Sequence, residues 1–198
     1  MIKNNNKLTS IRGSYNSKLK TLFFKDSVEL YHPKYNMESD TLSYATQTEI
    51  AYFSGPSIIK SDKNIIYCNK GWYDTKNEIS SFWNRAIIES DKRIILGDSI
   101  YYNRNNGIGE IFNNVKLSDT EKKYFIKGDY AFHNEINDSS IVKGNALLEQ
   151  HYEKDTLQII AETFINLVDT LEQQFLRAFK NVSFFKSDIQ GIRDSISY

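Results

Sequence analysis

The side chains of this sequence that could do chemistry are three histidines, one cysteine and a recurring set of aspartates. His32, His133 and His151 share no metal-ligand spacing, and Cys68 has no second thiol with which to form a disulfide or a metal-binding pair. Asp40, Asp98, Asp129 and Asp194 would suit acid–base work if two of them converged. They recur instead at one place in successive repeats, which predicts turn or strand-edge carboxylates that accept backbone N–H groups. Gly107-Ile108-Gly109 follows Asn105-Asn106 and opens no helix, so it does not read as a phosphate loop. The residues therefore predict no catalytic group, no metal, no cofactor and no enzyme.

The elements that hold these residues come from composition and spacing. Tyr 13 and Phe 12 against Pro 2 and Met 2 favour strands. Lys+Arg 25 balances Asp+Glu 25 with no basic block, which argues against nucleic-acid binding. Apolar runs such as Ile94-Ile95-Leu96 and Ala146-Leu147-Leu148 are far too short to span a bilayer as a helix. Met1 to Thr9 is polar and shows no secretory apolar core, so a signal for export would lie outside this sequence.

Two short patterns alternate along the chain. The first is a small or apolar residue, a spacer and a large apolar residue: Val28-x-Leu30, Pro56-x-Ile58, Ala86-x-Ile88, Val115-x-Leu117, Ala146-x-Leu148 and Val182-x-Phe184. The second centres on Leu42, Trp72, Ile100, Ala131, Phe164 and Ile196, often preceded by an acidic and a small residue, as in Asp98-Ser99-Ile100. Both patterns step by roughly thirty residues, a repeat period. Between them lie Asn16-Ser17-Lys18, Thr75-Lys76-Asn77, Asn103 to Gly107 and Asn134 to Asp138, clusters suited to tight turns. Each unit thus reads as strand, turn, strand, turn.

Period-two alternation puts the large residues on one face, with mostly polar spacers on the other. A second apolar set, Met37, Tyr67, Ile95, Ile126 and Ile159, has the opposite parity to the pattern centres. For both sets to face inward the strand must bulge at Ser39, Asn69, Gly97, Gly128 and Ala161. Residues 167–178 carry helical spacing at Leu167, Leu171, Phe175 and Ala178 but read here as extended hairpin strands. Residues 1–8 are expected to be disordered or an edge segment. Arg12-Gly13-Ser14-Tyr15-Asn16 aligns with Lys70-Gly71-Trp72-Tyr73-Asp74 and the sequence ends on a pattern aromatic, Tyr198. The whole, 1–198, is expected to be a single repeat domain, part of a longer array.

The stretch from Phe23 to Tyr198 resembles the OstA-like family, relatives of the periplasmic lipopolysaccharide-transport protein LptA and of the N-terminal domain of its outer-membrane partner LptD. Ser39 to Leu42, Ile50 to Pro56, Tyr67 to Lys76, Gly97 to Tyr102, Ala146 to Leu148 and Val182 to Asp194 carry the likeness, with Gly71-Trp72-Tyr73-Asp74 the most specific. The resemblance implies an all-β fold: a twisted, V-shaped β-jelly roll, a solenoid-like stack of strand-turn-strand repeats around an apolar groove. It also implies a periplasmic, non-enzymatic bridge that carries lipopolysaccharide acyl chains towards the outer membrane. Its partners would be lipopolysaccharide and other jelly-roll domains, or copies of itself joined by edge-strand pairing.

The groove lining expected on this basis is Leu30, Leu42, Ile58, Trp72, Ile88, Ile100, Leu117, Leu148, Phe164, Phe184 and Ile196. The same periodicity would fill a dry core, as in a carbohydrate-binding or adhesive β-solenoid, the competing reading. Copurifying lipid separates the two.

Overall fold

The computed structural model describes residues 2–3, 6–62, 64–168, 174–187 and 189–197. The expectation for residues 1–8 falls partly, and those for Leu171 and Tyr198 wholly, outside the described residues. Every regular element within them is a strand. These are β1 (Ile2–Lys3), β2 (Asn6–Thr9), β3 (Arg12–Asn16), β4 (Thr21–His32), β5 (Tyr35–Ala45), β6 (Ile50–Ser61), β7 (Ile65–Asp74) and β8 (Ile79–Glu89). There follow β9 (Arg93–Asn103), β10 (Ile108–Asp119), β11 (Tyr124–Asn134), β12 (Ser139–His151), β13 (Thr156–Val168), β14 (Gln174–Lys186) and β15 (Ile189–Ser197). The fold is all-β.

Two compact units are present, residues 1–91 with 99–105, and residues 92–98 with 106–198. In the first, β4 to β8 pair in chain order, each antiparallel to the next. The short β2 and β3 lie against different halves of β4, Leu8 opposite Leu30 and Gly13 opposite Phe24. In the second unit, β10 to β15 pair in the same sequential way. Leu167 pairs with Phe175, so the described parts of 167–178 are strand.

The tight turns form where Asn and Asp clusters predict them. Asn16 accepts the amides of Lys18 and Leu19 at 3.0 and 3.0 Å, and Asp74 those of Lys76 and Asn77 at 3.0 and 2.9 Å. Asn103 and Asn134 do the same for Asn105 and Ile136. Such side-chain turns are why these residue types mark reversals. Successive turns also stack: in the first unit Thr75 N donates to Glu49 O at 3.1 Å, and in the second Glu135 N donates to Gly107 O at 2.8 Å.

Each long strand folds over at its middle. In β4, β8, β10 and β14 two consecutive residues take left-handed φ values: Asp26 and Ser27, Asn84 and Arg85, Asn113 and Asn114, Lys180 and Asn181. In β12 the pair is Gly144 and Asn145; in β6 it is Gly55 alone, because the Pro56 ring fixes a negative φ. Opposite these pairs the partner strand leaves a single residue unpaired, Asp40, Asp129, Glu162 or Asp194. The bulge lies one residue beyond the expected Ser39, Gly128 and Ala161, which are themselves paired; at Asn69 it falls as expected.

This two-against-one corner resets the side-chain parity. Met37, Ser39 and Leu42 are all buried although no single alternation contains them. An upper leaf carrying Leu42 and Phe53 thus faces a lower leaf carrying Met37 and Ile59, and their inner faces form the core.

The recurring acids belong to this corner, not to turns or strand edges. Asp98 and Asp129 accept the side-chain amides of Asn114 and Asn145, each at 2.8 Å, rather than backbone N–H groups. Lys180 donates to Glu162 at 3.3 Å, and Asn69 to the carbonyl of Asn84 at 3.2 Å. The repeated carboxylate therefore steadies a backbone conformation that costs an ordinary L-residue about 1–2 kcal/mol.

Candidate functional site

The upper leaf of the first unit presents an inner column, Gly13, Phe24, Leu42, Phe53, Gly71 and Phe82, each opposite the next. Gly71 and not Trp72 is the core position. A β-carbon there would collide with the Phe53 ring and stand 2.8 Å from the carbonyl oxygen of Ser81. Phe53 and Phe82, whose ring centroids are 6.1 Å apart, close over the space that Gly71 leaves. Trp72 points outward with Tyr52, which is 46% exposed.

A matching slip occurs in the lower leaf. Leu30, Met37, Ile59, Ile66 and Ile88 form its inner column, while Ile58 pairs with Glu38 and Tyr67 on the outer face. Ser57 takes the corner place expected for Pro56, and its hydroxyl meets that of Ser39 at 2.8 Å inside the core. With these shifts the corner positions Val28, Ser57, Ala86 and Val115 are evenly spaced, as are Gly13, Leu42, Gly71 and Ile100. Among the expected lining residues of this unit, Leu42 and Ile100 are buried, and Leu30 and Ile88 are half-buried on the inner face.

The free ends of the two leaves meet in the first unit through aromatic groups. Tyr35 opens β5 on the lower leaf and Tyr73 lies near the end of β7 on the upper leaf; their rings stand edge to face at 6.1 Å. His32 stacks on Tyr35 at 4.5 Å. Burial raises both phenol pKa values, so both rings stay protonated through the physiological range. Burial likewise lowers the pKa of His32, with Lys34 adding to the effect.

In the second unit the leaves enclose an apolar cleft of about 280 Å³. Ile111, Val142 and Phe164 face it from the upper leaf, Leu117, Ile126 and Leu148 from the lower. Three of the expected residues, Leu117, Leu148 and Phe164, are therefore brought together here; Phe184 and Ile196 are half-buried elsewhere in the unit. The rim is polar. Arg93 and Tyr124 lie on the lower leaf, while His133 and Ser140 lie on the upper. His133 Nδ1 is 2.9 Å from Ser140 Oγ, and burial lowers its pKa, which keeps the ring neutral near pH 7. Arg93 on the rim reaches Asp138, in the turn after β11, at 3.7 Å.

Elsewhere, Cys68 is buried in an apolar setting that pushes its thiol up to about 12, which removes it as a nucleophile. Among the described residues, no group of three or more His, Cys, Asp or Glu is arranged to hold a metal ion. No helix among them is long and apolar enough to cross a membrane.

Sequence spacing alone did not reveal Ile59, Gly71 or the Arg93–Asp138 contact. A glycine flanked by two phenylalanines at the repeat distance was the available signal for Gly71. For the ion pair, made between a strand start and a distant turn, there was none.

No curated protein matches the chain in sequence. The crystal structure of LptH, the LptA homologous periplasmic component of the conserved lipopolysaccharide transport device from Pseudomonas aeruginosa, shares 13% sequence identity with it. That likeness covers 50% of this chain and 75% of that one, with a TM-score of 0.45. A family model described as OstA-like protein matches residues 1–40 and 41–137, a span that contains the glycine-centred column and β9, β10 and β11 of the strands lining the cleft, and the chain belongs to that family.

Proposed function

We infer that this protein is a non-enzymatic carrier of lipopolysaccharide acyl chains in the periplasm. The observation that carries the inference is the apolar cleft between the leaves of the second unit, open at a polar rim and lined from both sides by aliphatic and aromatic groups. Membership of the OstA-like family supports the same reading. Each methylene moved from water into such a space gains about 0.8 kcal/mol. A carrier needs no directional chemistry along the path, only apolar surface without a strong trap.

The cleft also favours lipid over the competing carbohydrate-binding solenoid, since a dry-core solenoid would leave no space between its leaves. In this reading Leu117, Leu148 and Phe164 line the path directly. Leu30, Leu42, Ile88 and Ile100 line its counterpart in the first unit, and Phe184 and Ile196 continue it in the second. Ile58 and Trp72, on the outer face, do not contribute. Assembly would proceed by addition of a further strand to an open sheet edge such as that of β15, the general mode by which exposed edges pair.

The test is site-specific photo-crosslinking in cells. A photoreactive residue at Leu117 should label lipopolysaccharide, whereas one at the neighbouring outward position Lys116 should not. Labelling from Lys116 alone would overturn the reading. Concentration-dependent oligomers would support edge assembly, and a strictly monomeric protein at high concentration would refute it.

A further inference from the structure

The mouth of the second unit's cleft holds a charged contact that an apolar carrier path does not require. Arg93 lines the cleft and its guanidinium stands 3.7 Å from the Asp138 carboxylate. Both side chains keep access to water, at 48% and 42% exposure. Tyr124 and His133, which also line the cleft, face the same pair from the two leaves. The phenol stays protonated and the imidazole neutral, so they offer hydrogen bonds without charge. Asp119 and Lys122 on the rim add one charge of each sign.

The cleft volume is also informative. About 280 Å³ lies at the lower end of ordinary small-ligand pockets, about 300–1,000 Å³. A space of that size suits one acyl chain. The chain's head would then emerge at the rim, where Arg93 is a cation and Asp138 already supplies it with an anion.

Resting on the acyl-carrier reading, we propose that Arg93 is the head-group site of this cleft, that the cleft takes one acyl chain of a lipid whose head is anionic, carboxylate or phosphate monoester, and that Asp138 is a resident stand-in which the ligand head displaces. Exchange of one anion for another on a solvated guanidinium costs little, because exposed ion pairs are worth only a fraction of a kilocalorie to about one. The stand-in keeps Arg93 neutralised in the empty protein. A neutral amphiphile does not replace the carboxylate and gains nothing from Arg93, so the preference for an anionic head comes from the guanidinium.

The experiment measures binding of dodecanoate, dodecyl phosphate and dodecanol, each below its micellar concentration, to the full chain and to two variants. Asp138→Asn should tighten both anionic probes by about two- to fivefold and leave dodecanol unchanged. Arg93→Gln should remove the advantage of the anionic probes over dodecanol, and a melting temperature near that of wild type shows that the cleft remains folded. Added salt should shrink that advantage in the wild type. The stronger of the two anionic probes identifies the head group. Equal response of all three probes in every protein would overturn the head-group site while leaving the acyl carrier intact. Failure of all three, dodecanol included, to bind the wild type would overturn the carrier and this site together.

Discussion

Arg93 opens β9 and Asp138 lies in the turn that follows β11, yet their side chains meet at 3.7 Å. Tyr124 and His133, which begin and nearly end β11 itself, both face this pair. Two ends of one extended eleven-residue strand would lie far apart, at about 3.3 Å per residue. They approach because the strand folds at Gly128 and Asp129, where the register shifts against both neighbours. The cleft and its mouth are thus products of the corner, and the corner is where mutation should tell most.

At that corner Asn145 combines a left-handed backbone with an amide donated to Asp129 at 2.8 Å. Asn145→Ala is expected to destabilise by about 1–2 kcal/mol for the backbone and by a further 0.5–1.5 or so for the hydrogen bond. Asn145→Gly should recover the first part and not the second. Urea unfolding of the two variants separates the contributions; equal losses would show that the φ value is immaterial.

Gly71 should tolerate no side chain. Gly71→Ala drives a methyl into Phe53 and towards the Ser81 carbonyl, at a cost of about 1–3 kcal/mol for overpacking. Phe53→Leu in the same chain should return part of that loss, because it removes the colliding ring edge. A double-mutant cycle that gives simple additivity would place the cost elsewhere.

The cleft can be filled from Ala131, a buried position between Ile111 and Val142 in the upper column. Ala131→Leu should lower dodecanol binding at least fivefold while leaving the melting temperature near that of wild type, since the added methyl groups enter existing space. A drop of many degrees would mean that the space is not available to a ligand.

Stability should fall as the pH is lowered from about 7 towards 5. His133 has its pKa lowered, first by burial, with Arg93 acting in the same direction and Asp138, Glu135 and a hydrogen bond to the Ser139 backbone opposing. The unfolded histidine titrates near 6.5. The unfolded state therefore binds more protons below that pH, and stability present above it is lost as the pH falls. His133→Gln should flatten the slope of thermal stability between pH 7.5 and 5.5. It will not abolish it, because His32 is shifted in the same direction. A slope unchanged by the substitution would mean that His133 does not titrate on unfolding.

Much of this fold is written in local chemistry. The Asn and Asp turns, the repeat distance and the change of parity within β5, β7, β11, β13 and β15 all follow from residue types at fixed spacing. The errors share one cause. Ranking by size puts Trp72 and Ile58 inward, whereas the register gives those places to Gly71 and to the pair Ser57 and Ile59. In a column that alternates large and small, the small member identifies the inner face, and a rule that ranks by hydrophobicity passes over it. The same rule puts the corners of β5, β11 and β13 one residue early. The unpaired residue is the polar Asp or Glu, and the small residue before it is paired. Arg93 and Asp138 lay beyond any local rule, since only the closed tertiary fold makes them neighbours.

The one-after-another strand pairing within each unit has a kinetic meaning. No strand from β4 to β8 or from β10 to β15 waits for a partner distant in sequence; each docks on its immediate predecessor. Such a topology has low contact order for an all-β protein and can grow by propagation from any formed hairpin. Hydrogen exchange should accordingly be fastest in the short β2 and β3 of the first unit and slower in the long strands that have a partner on each side, such as β6 and β12.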